Sequence, residues 1–137
     1  MIYLLDTNMV SFIIKGRSPA ARSRLEALQL HKDREACVSI ITVSEILYGL
    51  EKTGASPQRR KAIDLFLANL SVYTWDYTAA QAYGILRAAQ EAMGKPLGPY
   101  DLQIAAHALA LKATVVTHDS GFRSVPGLPI EDWAADM

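Results

Sequence analysis

Near the N-terminus, Ile2-Tyr3-Leu4-Leu5 is a short unbroken apolar run. With no alternation, it predicts a strand buried on both faces. Asp6-Thr7-Asn8 follows at once, and a helical pattern then begins with Val10, Phe12, Ile13 and Ile14. This hand-over from buried strand to polar cap to helix recurs. A second helix is expected over Ala20 to Leu30, with Ala21, Leu25 and Leu28 inward. Ala36 to Ile41 reads as a second strand, and Thr42 opens a helix through Thr53 with Val43, Ile46, Leu47 and Leu50 on one face. Pro57 starts another helix, to about Leu70, with Ile63, Phe66 and Leu67 apolar. Ser71 to Trp75 is a third strand, and Asp76 and Thr78 can cap a long helix to about Met93. A turn-rich loop over 94–99 precedes a helix from Tyr100 to Leu111 and a fourth strand from Thr114 to Thr117. Ile130 to Trp133 is expected as a short edge strand. Strands alternating with helices imply an α/β fold: a three-layer α/β/α domain around a central parallel sheet of four or five strands.

At 137 residues the chain suits one domain, spanning 1–137, with a sizeable core. Its 14 Lys plus Arg balance 14 Asp plus Glu, which argues against a uniformly basic nucleic-acid binder but allows a local basic rim. Arg59, Arg60 and Lys61 oppose the dipole at a helix start, so a role other than helix stability is suggested beside that of a solvated basic face. The one cysteine, Cys37, excludes an internal disulfide framework and reads as a buried, inert thiol. No signal-peptide pattern opens the chain, and no apolar run approaches a membrane span. A soluble cytoplasmic protein with no membrane partner is therefore expected.

Four acids hold comparable places: Asp6, Glu45, Asp101 and Asp119. Each has a purely structural role open to it. Asp6 suits a helix cap. Thr42-Val43-Ser44-Glu45 has the form of a capping box. Asp101 would be the third residue of a helix begun by Pro99, and Asp119 suits an Asx turn. Together they say more. Parallel strands carry Asp6, Glu45 and Asp119 toward one edge of the sheet, where carboxylates repel one another. A divalent cation removes that cost. Oxygen donors alone, with no clustered cysteines and no helical His pair, favour magnesium or manganese over zinc. Such an ion activates water and clamps phosphate oxygens, the chemistry of phosphodiester hydrolysis. His31, His107 and His118 are expected to stand outside its immediate ligands. Gly94-Lys95-Pro96-Leu97-Gly98 lacks a P-loop ending, and Ser120 has no nucleophile elbow around it.

Leu4-Leu5-Asp6-Thr7-Asn8, Thr42-Val43-Ser44-Glu45-Ile46 with Tyr48-Gly49, Gly94 to Ala108, Val116-Thr117-His118-Asp119 with Phe122, and Glu131-Asp132-Trp133 together resemble the VapC toxins of VapBC toxin–antitoxin pairs, which are PIN-domain ribonucleases. The likeness runs through almost the whole chain in order. It implies a PIN fold, magnesium- or manganese-dependent cleavage of RNA, and a homodimer blocked by a cognate VapB-like antitoxin. Asp6, Glu45, Asp101 and Asp119 match the family's acidic quartet, the last position often being Asn. Thr7, Asn8 and Thr117 match polar positions around it. Relatives often cut tRNA, which makes tRNA a plausible substrate.

On this reading Asp6 and Asp101 hold the ion, Glu45 helps hold it or orients the attacking water, and Asp119 assists. Lys95, Arg87 and Arg123 could meet substrate phosphates, with ordinary surface charge the alternative. Tyr100 is expected in the core, with stacking on a base the alternative. A catalytically weak PIN-fold module that binds RNA or protein is the second reading. Retention of all four acids counts against it. A phosphotransfer role for Asp6 is the third, and Asn8 stands where a second acid would be needed.

Overall fold

The computed structural model describes residues 1–94 and 97–137. The elements run β1 (Ile2–Leu5), α1 (Thr7–Ile14), α2 (Pro19–Gln29), β2 (Glu35–Ser39), α3 (Ile40–Thr53), α4 (Pro57–Ala68), β3 (Ser71–Tyr73), α5 (Tyr77–Ala92), α6 (Pro99–Leu111), β4 (Thr114–Val116) and β5 (Ile130–Glu131). A 3-10 helix over Ser120–Ser124 follows β4. The sheet has five strands in the order β3-β2-β1-β4-β5, and every pairing is parallel. β5 lies at an edge, as its short pattern suggested.

Strand side chains alternate between two apolar layers. Tyr3, Leu5, Val38 and Val116 pack with Met9, Val10 and Ile13 of α1 and Leu25 of α2. Leu4, Cys37 and Val115 pack with Leu86 of α5, Leu102 and Ile104 of α6, and Phe122. Both faces of the sheet are therefore covered, which is why β1 carries no polar residue. Leu4 and Leu5 are fully buried, each worth about 1.5–3 kcal/mol of hydrophobic stabilisation.

The strand order has a functional consequence. The chain moves outward from β1 to β2 and β3, then returns to add β4 on the other side of β1. The order reverses between β1 and β4. At such a switch point the loops leaving neighbouring strands part, and a crevice opens at their carboxyl ends. Asp6 leaves β1 there, and Thr117 leaves β4.

One boundary differs from the sequence reading. α3 begins at Ile40, capped by Ser39, whose hydroxyl accepts the Ile41 N–H. Ile40 and Ile41 extend the apolar pattern of β2, so they read as strand. Ser39 supplies the cap and turns the chain earlier. Thr42 is thus inside the helix and fully buried, and the proposed capping box does not form. The basic start of α4 also finds a partner. Arg60 pairs with Glu51 at 2.8 Å and donates to the Leu50 and Ala55 carbonyls. Its charge closes the end of α3, where the dipole favours a cation.

Candidate active site at the carboxyl edge of the sheet

Asp6 is 2% exposed. Its Oδ1 accepts the Met9 N–H at 2.8 Å, so it does cap α1. Its Oδ2 accepts the Thr117 hydroxyl at 2.6 Å. The cap role and the site role therefore coexist in one side chain. Thr117 Oγ1 in turn accepts the Asp119 N–H at 2.9 Å, so one hydroxyl ties the first acid to the backbone of the last. Asp119 Oδ1 accepts the Gly121 N–H at 2.8 Å, the Asx turn expected of it. Glu45 stands on the second turn of α3. Its Oε1 accepts the Thr7 hydroxyl at 3.0 Å, and Thr7 Oγ1 lies 3.3 Å from Thr42 Oγ1. Glu45 is thus oriented from α1 across the crevice. Asp101 lies in the first turn of α6, which Pro99 begins and Gly98 leaves without a side-chain cap.

Electrostatics link these groups more clearly than contact does. Burial pushes the Asp6 carboxyl up to about 6, and the negative charges of Asp101 and Asp119 push the same way against its two hydrogen bonds. Burial also raises Glu45, with Asp101 adding to it. Asp101 is raised by burial and then by Asp119. All four acids therefore share one region of negative potential. Among the described residues none of them is in an ion pair. Nor do three His, Cys, Asp or Glu side chains among those residues close into a ready-made metal cage. The donor set still fits a hard divalent cation: it is all oxygen, rigidly oriented at Asp6 and Glu45, and short of positive charge.

Around this centre, Thr7, Asn8 and Glu45 line a cleft of about 270 Å³ that Lys15 and Arg59 also border. Thr117, Asp119 and Arg123 line a second of about 180 Å³. Arg123 is therefore beside the acids. Arg87 is engaged elsewhere, pairing with Glu91 at 2.9 Å and donating to the Tyr83 hydroxyl. Lys95 lies outside the described residues. Tyr100 is 58% exposed, which overturns its expected place in the core. It stands in the first turn of α6. His31 and His107 lie away from the acids, whereas His118 lines the cleft with Thr117 and Asp119. His107 is buried with Nδ1 2.7 Å from Ser39 Oγ, His118 pairs with Asp132 at 2.8 Å, and His31 is exposed. Cys37 is buried and its thiol is pushed up to about 12, chiefly by burial, in accord with an inert role.

A family model described as PIN domain matches residues 3–128. The chain belongs to the PIN-domain family. It falls in the VapC branch, and its activity is that of a ribonuclease. It is 38% identical to the tRNA(fMet)-specific endonuclease VapC of Salmonella typhimurium over 96% of this chain and 97% of that protein. It is 34% identical to the Shigella flexneri protein of the same description, over 96% and 98%. Among solved structures it is similar to VapBC2 from Rickettsia felis bound to a promoter DNA fragment, with TM-score 0.90, 34% identity, and coverage of 97% of this chain and 99% of that one. The DNA-bound VapBC of Salmonella typhimurium gives TM-score 0.88, 36% identity, and coverage of 97% and 98%. The family's nucleases are typically metal-dependent, as the acidic edge of this sheet would require. No helix among the described residues is long and apolar enough to cross a membrane.

The sequence reading placed the acids at this edge but passed over the groups that hold the edge in shape. Ser39, His107 and Gln90 are polar and buried. In an amphipathic pattern a lone polar residue reads as solvent-facing, so only Ser39, a cap residue directly after a strand, gave a local signal.

Proposed function

We propose that this VapC-family ribonuclease hydrolyses RNA, with tRNA as its substrate class, at a magnesium or manganese ion held by Asp6, Glu45, Asp101 and Asp119. The whole chain, 1–137, acts as one PIN domain in the cytoplasm, as a homodimer silenced by a VapB-like antitoxin. The observation that carries the reading is the raised set Asp6, Glu45 and Asp101 at one sheet edge, negative charge with no cation paired to it among the described residues. The tRNA assignment rests on two relatives named as tRNA(fMet)-specific endonucleases. The antitoxin assignment rests on the VapBC structures.

When bound, the ion would lower the pKa of a water and withdraw charge from the scissile phosphate. The chain's own groups do the rest. Met9 N–H and the Thr117 hydroxyl lock both Asp6 oxygens, so its carboxylate presents a fixed donor. Thr7 holds Glu45 by Oε1, leaving Oε2 to help hold the ion or to orient the attacking water. Asp119 spends Oδ1 on its own turn and keeps Oδ2 for the site. Asn8 and Thr7 border the cleft in which the strand would lie. Arg123 lines the cleft beside Asp119 and would meet a neighbouring phosphate.

Purified protein incubated with total tRNA decides the matter. Cleavage is expected with magnesium or manganese, and none with EDTA or in Asp6→Asn. Tight RNA binding without metal-dependent cleavage would favour the binding-module reading instead.

A further inference from the structure

Gln90 is a long polar side chain in the last turn of α5, yet it is fully buried. Its Oε1 accepts the Leu97 N–H at 3.1 Å. Its Nε2 donates to the Ser124 carbonyl at 3.3 Å and lies 3.4 Å from Ser124 Oγ. Ser124 Oγ donates to the Gly121 carbonyl at 2.8 Å. The Gly121 N–H holds Asp119 Oδ1 at 2.8 Å. On the other side, Leu97 leads directly into Gly98, whose carbonyl accepts the first bond of α6 from Leu102. Asp101 lies in that first turn. Leu97 and Gly121 also approach one another: a Cβ on Gly121 would lie 3.5 Å from Leu97 Cδ2 and 3.1 Å from Asp119 Oδ1.

One amide thus joins two segments that share no sheet hydrogen bond, the lead-in to α6 and the 3-10 helix after β4. Asp101 and Asp119 ride on those segments, and like-charged carboxylates repel one another. Something must hold the segments together against that repulsion. The amide is well suited, because it supplies an acceptor to one segment and a donor to the other without adding charge. We propose that Gln90 is a positioning residue for the ribonuclease reaction, setting the separation of Asp101 and Asp119 from beneath. The inference rests on the metal-site reading above.

Gln90→Leu keeps similar bulk and removes both hydrogen bonds. Two readouts separate positioning from mere stability. The first is the magnesium or manganese concentration giving half the maximal rise in melting temperature. The second is the division between kcat and KM on a cleavable RNA at saturating metal. Outer partners of metal ligands affect affinity or activity by about 10–100-fold. The half-saturating metal concentration should therefore rise at least about 10-fold and kcat should fall on the order of 10-fold, with KM for RNA within about 3-fold. Ser124→Ala, which keeps its carbonyl for Gln90 and loses the hydroxyl's links to Gly121 and to Gln90 Nε2, should move the same readouts in the same direction by less. It carries the test if the Leu variant does not fold. A lower metal-free melting temperature with unchanged metal half-saturation and kcat would make Gln90 purely structural and overturn the inference. Absence of any metal-induced rise in the unaltered protein would instead overturn the metal-site reading, and this one with it.

Discussion

Asp6→Asn should make the metal-free protein more stable, although it destroys the activity. The reason is the cost of keeping Asp6 ionised. Its carboxyl is 2% exposed and titrates near 6 when folded, against an ordinary 3.8. The folded state therefore holds the proton more tightly than the unfolded chain does. The stability so gained is fully present below pH 3.8 and is lost as pH rises through about 6. At about 1.36 kcal/mol per pH unit the loss is up to ~3 kcal/mol. Asn resembles the protonated carboxyl: its carbonyl can keep the Met9 N–H and its amide can face Thr117. With EDTA at pH 8, the variant should exceed the unaltered protein by up to about 3 kcal/mol, or ~10 °C in melting temperature for a chain of this size. The advantage should shrink steadily below pH 6 and vanish near pH 4. With magnesium or manganese the order should reverse at pH 8, because only the carboxylate gains from the cation. Scanning calorimetry of both proteins from pH 4 to 8, with EDTA and with each metal, makes the comparison. A variant less stable than its parent at pH 8 in EDTA, or a difference that does not vary with pH, would refute the reasoning.

Other substitutions probe the neighbours of that carboxyl. Glu45→Gln should keep nearly full metal-free stability, since Thr7 can still donate to the Gln carbonyl, yet lose at least ~100-fold in cleavage rate; initial rates beside metal-free melting curves check it, and near-normal rates would leave a three-carboxylate site. Thr117→Val removes the donor to Asp6 and the acceptor for Asp119 N–H, so Asp6 should titrate higher still, and stability should fall by about 1–3 kcal/mol for the buried partners left unmade; denaturant melts and NMR titration of the Asp6 carboxyl read both. Cys37, buried with its thiol near 12, should resist iodoacetamide at pH 8 in the native protein and react on unfolding, which mass spectrometry records.

β1, β2 and β4 were legible because residues buried on both faces leave no choice of pattern. Ile2 to Leu5 can be little else, and the acids that follow such runs must lie at one edge of a parallel sheet. The misplaced start of α3 has a local cause. Ile40 and Ile41 are good strand residues, and only the Ser39 cap decides against them. Tyr100 was misjudged because an aromatic before Leu102, Ile104 and Ala105 looks like part of their apolar face. Tyr100 faces solvent instead, while Leu102, Ile104 and Ala105 turn inward. Gln90 and His107 were invisible as struts, because their partners lie far off in sequence, at Leu97 and Ser124 and at Ser39. Helical periodicity records which face is apolar and says nothing of a polar side chain satisfied by a distant loop.

Titration of metal into the protein and into Asp101→Asn most directly tests whether these acids form a metal site. Asp101 is the acid on α6, and its charge raises both Asp6 and Glu45, so it joins the two halves of the cluster. Isothermal calorimetry with manganese at pH 7.5, run beside a tRNA cleavage assay, should show binding and cleavage in the unaltered protein and the loss of most of both in Asp101→Asn. Manganese binding and tRNA cleavage that both survive the substitution undiminished would contradict the account.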